Sequence, residues 1–301
     1  MKFFLCNENG ESCEVNDPNN VLLLNKHFEV TKNLDECDFI FPQINVYLGS
    51  CNQYNILKKT KLYRDNSSKF VFYNLDDKPV CLHEDSNGIK FTAMPIHDSI
   101  QNGKSNIIMI PLVEKKFELL SDEERIKLRS ETRKYQYGFI GAISTSGRAS
   151  IRTQRDFVKN FINKYNSYIE DTTHKTSIFH VRKPGKFKKF HVDYMDKLSK
   201  CKFGLCPVGQ GLNSYRLGEC MQIGVVPIIV GHKALPLENY INWNSFSLVF
   251  PNMDDVTHEN IQKKMANKDY NFMSRECIKT WEKYFKVTNL SNFLYGEFLN
   301  G

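Results

Sequence analysis

The sequence predicts an α/β protein of two domains, each built on a mostly parallel sheet. Two observations carry this prediction. Apolar runs of strand length alternate with helix-like stretches through both halves of the chain, and 301 residues suit about two domains. Hydrophobic residues make up 41% and charged residues 25%, too apolar a mixture for disorder. No apolar run approaches the ~18 residues that span a bilayer. Met1–Cys6 holds a single Lys and lacks the pattern of a signal peptide. A soluble, cytoplasmic protein without membrane insertion is expected.

In the first half, Lys2–Cys6, Val21–Leu24, Asp38–Phe41, Phe70–Tyr73 and Ile107–Leu112 read as buried strands. Ser121 and Glu124 form a capping box, in which each side chain satisfies a backbone amide at a helix start. The helix it opens reaches about Lys134 and is mostly polar, as a connector is. The boundary is therefore set there, giving domains at 1–134 and 135–270, with 271–301 as a C-terminal helix. The second half supplies strands at Tyr137–Ile140, Ser177–Val181, Phe203–Cys206, Val225–Val230 and Ser247–Phe250. Arg148–Tyr165 has an apolar stripe at helical spacing. Ser214–Ile223 is a second helix, closed by Gly224 in the left-handed position that glycine favours. Asn271–Phe285 is a third. The stretches 50–70, 80–105 and 252–270 read as loops or short irregular elements.

Charge and cysteine usage narrow the chemistry. The formal net charge of +7 suits an anionic ligand. The nine cysteines are scattered without a C-x-x-C pair, which indicates a reducing, cytosol-like compartment. Between His174 and His191, basic residues interleave with Phe179, Phe187 and Phe190. Such a stretch can bind nucleic acid, but a solvated loop is the commoner outcome, and no helix-turn-helix or RNP-type motif accompanies it. Cys201 and Cys206, with His180 and His191, do not make a zinc site, because a five-residue offset along a strand puts the two thiols on opposite faces.

The most informative segment is Cys201–Val230. A strand runs into Pro207-Val-Gly209-Gln-Gly211, a loop that lets backbone approach a ligand closely. Asn213 or Ser214 then caps a helix whose free amides face that loop. Arg216 sets a planar cation beside those amides, suited to a phosphate. Glu219, three residues on, shares the helical face and suits a vicinal diol. Phosphate donors beside a diol acceptor describe a nucleotide's diphosphate and ribose. An ordinary surface ion pair with turn-forming glycines is the plain alternative.

These residues also carry a family resemblance. Cys206-Pro207-Val-Gly209, Ser214-Tyr-Arg216-Leu-Gly-Glu219 and Gly224-Val-Val-Pro227-Ile-Ile229 resemble the signature of exostosin-like glycosyltransferases, glycosyltransferase family 47. Leu235-Pro236, Ile241–Ser247, Phe139-Ile-Gly141 followed by Arg148, and Asp38–Pro42 are similar to flanking family stretches. The resemblance implies the GT-B type of fold, two Rossmann-like domains facing across a cleft. It implies inverting transfer from a UDP-sugar, bound by the second domain, to a glycan or glycoprotein acceptor on the first. Arg216 would hold the diphosphate and Glu219 the ribose. Ser214 with nearby amides would hold the phosphates, and Arg148, beyond Gly141, would add positive charge. From the residues themselves, Asn213, Gly209 and Pro207 join the donor loop, and His180 of the basic stretch, if that stretch is functional, stands near the base of the donor. A soluble, single-step enzyme of microbial or viral type fits the length, and for a viral chain the compartment would be the host cytoplasm. Xylose is the first donor sugar to try.

No two aspartates are spaced i,i+2 as the metal-holding Asp-x-Asp motif requires. No metal cofactor is therefore expected, and oriented donors must meet the leaving-group charge. A general base is needed for the acceptor hydroxyl. Asp77 is favoured among the candidates, because the adjacent Asp76 can raise its pKa; Glu8 and His97 are the others, and for any one of them plain structure, such as turn chemistry in the Asp-Asp-Lys-Pro segment, is the better explanation. A nucleotide- or glycan-binding module of the same fold without turnover stays open.

Overall fold

The computed structural model describes residues 1–14, 26–43, 52–74, 89–92, 107–111, 119–143, 155–173, 184–208, 213–232 and 234–300. In the first half, β1 (Lys2–Cys6) lies between β2 (Glu29–Thr31) and β3 (Phe39–Pro42), all parallel. β4 (Val71–Asn74), β5 (Ile89–Thr92) and β6 (Ile107–Met109) follow as a second parallel group. One parallel bridge, Ile40 to Phe70, joins the two groups into the order β2-β1-β3-β4-β5-β6. Side chains alternate across β1. Phe4 and Cys6 pack with Tyr54 of α1 (Asn52–Lys58) and Tyr63 of α2 (Lys61–Asn66), while Phe3 and Leu5 join the main core on the other face.

The second half is one five-stranded parallel sheet, ordered β8-β7-β9-β10-β11. Its strands are β7 (Tyr135–Gly141), β8 (Ser167–Asp171), β9 (Cys201–Pro207), β10 (Val226–Val230) and β11 (Leu248–Phe250). β10 is buried along its whole length, as a central parallel strand covered on both faces must be. Both halves thus begin with the same doubly wound order, second strand, first strand, third strand. The fold is mixed α/β, with two mainly parallel sheets packed against helices, consistent with a GT-B arrangement of two Rossmann-like units.

Between the halves, α3 (Asp122–Arg129) opens on the expected capping box: the Ser121 hydroxyl accepts from Glu124 N–H at 3.1 Å, and Glu124 accepts from Ser121 N–H at 2.7 Å. In the second half, α4 (Pro184–Ser199) packs on β7 and β9. The helix α5 (Tyr215–Gln222) connects β9 to β10, and the short α6 (Trp243–Phe246) precedes β11. α7 (His258–Met265), α8 (Tyr270–Tyr284) and α9 (Val287–Asn300) complete the chain. Arg129 donates to Gln222 O at 2.9 Å and Arg133 to Ile223 O at 2.6 Å, with a further Arg133 bond to Ser199 O. Cations thereby meet the carbonyl ends of α4 and α5, where helix dipoles favour them. α8 lies on α5, and Tyr295 of α9 stacks on His27 at 5.1 Å and contacts Phe28 at 5.5 Å, beside β1 and β2.

Several expectations are corrected. The helix expected over Arg148–Tyr165 is, among its described residues, two 3-10 turns over Asp156–Phe161. Asn163, Tyr165 and Asn166 take positive φ of 55°, 55° and 50°, which stops any helix there. The stretches read as loops or short irregular elements hold the short regular elements α1 and α2 within 50–70, β5 within 80–105 and α7 within 252–270. The basic stretch ending at His191 is helical from Pro184. Val21–Leu24 and Ser177–Val181 lie outside the described residues, and β8 stands at Ser167–Asp171.

Candidate functional site

In an open parallel sheet, ligands bind beyond the carboxyl ends of the strands, where the strand order reverses. In the second sheet that point lies between β7 and β9. Gly141 ends β7, Pro207 ends β9, and α5 starts just beyond. The Ser214 hydroxyl caps α5 by accepting from Arg216 N–H at 3.3 Å. Asn213 is buried and occupied: its Oδ1 accepts from Ser214 N–H at 2.8 Å and its Nδ2 donates to Ile110 O at 3.1 Å.

Arg216 reaches back across the end of β7. Its Nη2 donates to Ile140 O at 2.8 Å, and its guanidinium carbon sits 4.5 Å from the centre of the Phe139 ring. A Cβ on Gly141 would come within 2.8 Å of that Nη2, so glycine makes room for the cation. Burial works against the charge. The Tyr194 hydroxyl and Glu219, followed by the thiols of Cys206 and Cys220, outweigh it and hold the Arg216 pKa above its ordinary value. The Nε of Arg216 is buried and has no hydrogen-bond partner among the described residues.

Arg155 leans over the same strand end. Its Nη1 donates to Ala142 O at 2.7 Å, and its Nε is likewise buried without a partner among the described residues. Burial, and then the like charge of Arg216, pull its pKa down to about 10. Two guanidinium groups that repel each other, each with an orphaned donor, make a place prepared for an anion.

On the next turn of α5, Glu219 accepts from the Tyr194 hydroxyl of α4, O to Oε2 2.7 Å. Burial raises the Tyr194 pKa well above its usual value, and the carboxylate raises it further, so the phenol keeps its proton. His191, three residues before Tyr194, is buried at 6% exposure, and its Nε2 has no partner among the described residues. Burial lowers its pKa, and Glu219 opposes that in part.

The structure thus gathers Arg216, Glu219, Ser214, Asn213, Pro207 and Gly141 at one strand-order reversal. Gly209, Arg148, His180, Asp76, Asp77 and His97 lie outside the described residues. Glu8 stands in the turn after β1, between Asn7, whose Oδ1 accepts from Asn9 and Glu11 N–H, and Gly10 at a φ of +79°. That turn is at the carboxyl edge of the first sheet, beside its own strand-order reversal. The sequence reading missed Arg155, Tyr194 and His191. The first was hidden in a segment read as a helix. The other two carry an i,i+3 signal, legible once α4 is known to be helical. Among the described residues no group of three or more His, Cys, Asp or Glu is placed to hold a metal ion. The Cys206 thiol faces Cys220 at 3.7 Å, while Cys201 packs against Gly138.

The Exostosin GT47 domain model matches residues 67–265, which include both sides of this site. The chain belongs to the exostosin GT47 family. Two probable glycosyltransferases of Arabidopsis thaliana are similar to this family member. One is 28% identical over 97 residues, 32% of this chain and 18% of that protein. The other is 33% identical over 58 residues, 19% of this chain and 12% of that protein. The matched stretches are therefore less than a fifth of either plant protein. The crystal structure of Anabaena HepE in complex with UDP and glucose aligns with a TM-score of 0.44 and 10% identity, over 86% of this chain and 77% of that one. In this GT47 chain no described helix is long and apolar enough to cross a membrane.

Proposed function

We propose that this GT47 chain is an inverting glycosyltransferase that moves a sugar from a UDP-sugar to a hydroxyl of a glycan or glycoprotein acceptor. The observation that carries the reading is the pair Arg216 and Arg155, with their two orphaned Nε donors, over the end of β7. A diphosphate supplies the acceptors they lack. As the glycosidic bond to the leaving diphosphate breaks, charge develops between two fixed guanidinium groups and the capped start of α5, which stabilise it without a metal ion. Glu219, one turn away, takes the ribose hydroxyls.

The second sheet and its helices, 135–270, form the donor unit, and 1–134 the acceptor unit, with 271–301 spanning them. The base that deprotonates the acceptor belongs on the acceptor unit, at Asp77, Asp76, Glu8 or His97. Gly209, Arg148 and His180 are assigned to the donor as well. Xylose is the donor sugar to test first, and a cytoplasmic location suits the free thiols at Cys6, Cys37 and Cys206.

A thermal-shift titration with UDP, GDP, CMP and ADP, with and without EDTA, tests the donor site. Stabilisation by UDP is expected, insensitive to EDTA and lost in Arg216→Ala and in Arg155→Ala. No stabilisation by any of the four at millimolar levels overturns the assignment. UDP binding without transfer from any UDP-sugar, in a protein with all four base candidates intact, would leave a binding module in place of an enzyme.

A further inference from the structure

Helix α4 brings two side chains to the donor site that stand outside the motifs at Cys206–Gly209, Ser214–Glu219 and Gly224–Ile229. His191 and Tyr194 stand three residues apart on one face of α4, and that face looks onto α5. Tyr194 spends its hydroxyl on Oε2 of Glu219 at 2.7 Å. That bond fixes the carboxylate and leaves its Oε1 for a ligand. Its ring centre is 6.1 Å from that of His191. His191 is buried, feels the charge of Glu219, and has an Nε2 without a partner among the described residues. A buried imidazole nitrogen left unmatched in a native core is costly, and calls for an explanation.

An explanation as packing alone fails on two counts. A residue of similar bulk without polar atoms would fill the space without the desolvation cost. The unmatched atom is also on a side chain that feels Glu219, and Arg216, one turn before Glu219 on α5, and the neighbouring Arg155 each carry an unmatched Nε of their own. The two guanidinium groups are cationic and suit the diphosphate. The imidazole nitrogen belongs to a side chain held neutral, which suits a hydroxyl: a neutral imidazole nitrogen donates to or accepts from an alcohol with equal ease.

We infer that His191 reads a ribose hydroxyl of the nucleotide through Nε2, and that Tyr194 is a positioning residue that orients Glu219 for the same ribose. This rests on the nucleotide reading of the site and extends it to a ribose-specificity element on α4. A site with buried polar groups matched to a hydroxyl discriminates strongly against the ligand that lacks it. The intact protein is thereby expected to prefer UDP over 2′-deoxy-UDP or 3′-deoxy-UDP.

Calorimetric titration of the full chain with UDP, the two deoxy-UDPs and inorganic pyrophosphate tests this. His191→Phe keeps the bulk and removes the nitrogens; His191→Gln keeps a polar end; Tyr194→Phe removes only the hydroxyl. The intact chain should bind UDP at least tenfold more tightly than one of the deoxy-nucleotides. His191→Phe and Tyr194→Phe should each collapse that ratio toward one while leaving pyrophosphate binding within about twofold, and His191→Gln should restore part of it. Equal loss for all four ligands would mean a merely structural role and overturn the inference. So would an unchanged ratio in variants that bind UDP. If His191→Phe fails to fold, Tyr194→Phe and His191→Gln decide alone. Failure of the intact chain to bind UDP at all would instead remove the nucleotide reading, and this inference with it.

Discussion

Arg216 shows how the site is prepared at the scale of single residues. Three features fix its guanidinium: the bond to Ile140 O, the Phe139 ring beneath it, and the missing side chain at Gly141. Gly141→Ala removes the last of these. A methyl group 2.8 Å from Nη2 cannot coexist with the present rotamer, and the Phe139 ring, 3.1 Å away, must also give by a few tenths of an ångström, but no backbone has to move. UDP affinity is therefore expected to fall about tenfold, ~1.4 kcal/mol, with unfolding stability changed by less than ~1 kcal/mol. Calorimetry and urea unfolding on the same variant check both halves. A large loss of stability with normal binding would show that Gly141 serves packing instead. Arg216 and Glu219 were legible in the sequence because a strand, a glycine loop, a cap and the two charges occur there in unbroken order. Arg155 was not, since its role depends on the chain turning back after β7, and no local pattern reports that.

At the scale of elements, the β9–α5–β10 unit follows its sequence closely. Its strands are apolar apart from Lys202 near the start of β9, its helix is capped by Ser214, and Gly224 ends it at a φ of +71°. The elements that sequence reading missed lack such marks. β8 is an edge strand with no fully buried residue, so Ser167–Asp171 shows neither an apolar run nor alternation. α4 begins at Pro184-Gly185, a pair that reads as a turn although proline suits a first helical turn. The apolar stripe between Arg148 and Tyr165 satisfies helical spacing, but Asn163, Tyr165 and Asn166 adopt left-handed backbone and override it. Close approach of α5 to β9 depends on Gly204, where a Cβ would lie 2.4 Å from Cys220 Sγ. Gly204→Ala should cost about 1–3 kcal/mol of unfolding free energy through overpacking. The double variant with Cys220→Ala should recover much of it, because neighbours in contact are not additive. Strictly additive losses in urea unfolding would sink that account of the packing.

Polar links between the two halves differ in weight. Between the halves, Asn213 Nδ2 donates to Ile110 O and Leu237 N–H to Met109 O at 2.7 Å, so the end of β6 is tied twice to the second half. On the outside, α3 pairs with α8 through Arg129 and Glu282 at 2.9 Å, and Asp122 pairs with Lys286 just beyond α8 at 3.3 Å. The carboxylates of both pairs are largely exposed, where such pairs typically contribute less than ~1 kcal/mol. Asn213 is buried, and its loss strands Ile110 O and Ser214 N–H together, which costs about 1–3 kcal/mol. Asn213→Ala is therefore expected to destabilise the chain more than Glu282→Gln in urea unfolding. It should also weaken UDP binding, because Ser214 caps the helix that carries Arg216. The amide of Asn213 thus joins the carbonyl of Ile110, just beyond β6, to the first residue before α5. Hydrogen exchange would show the loss of that link as faster exchange at Ser214–Leu217 in Asn213→Ala. Faster exchange confined to β6, with UDP affinity intact, would mean that Asn213 ties the halves without reaching the donor site.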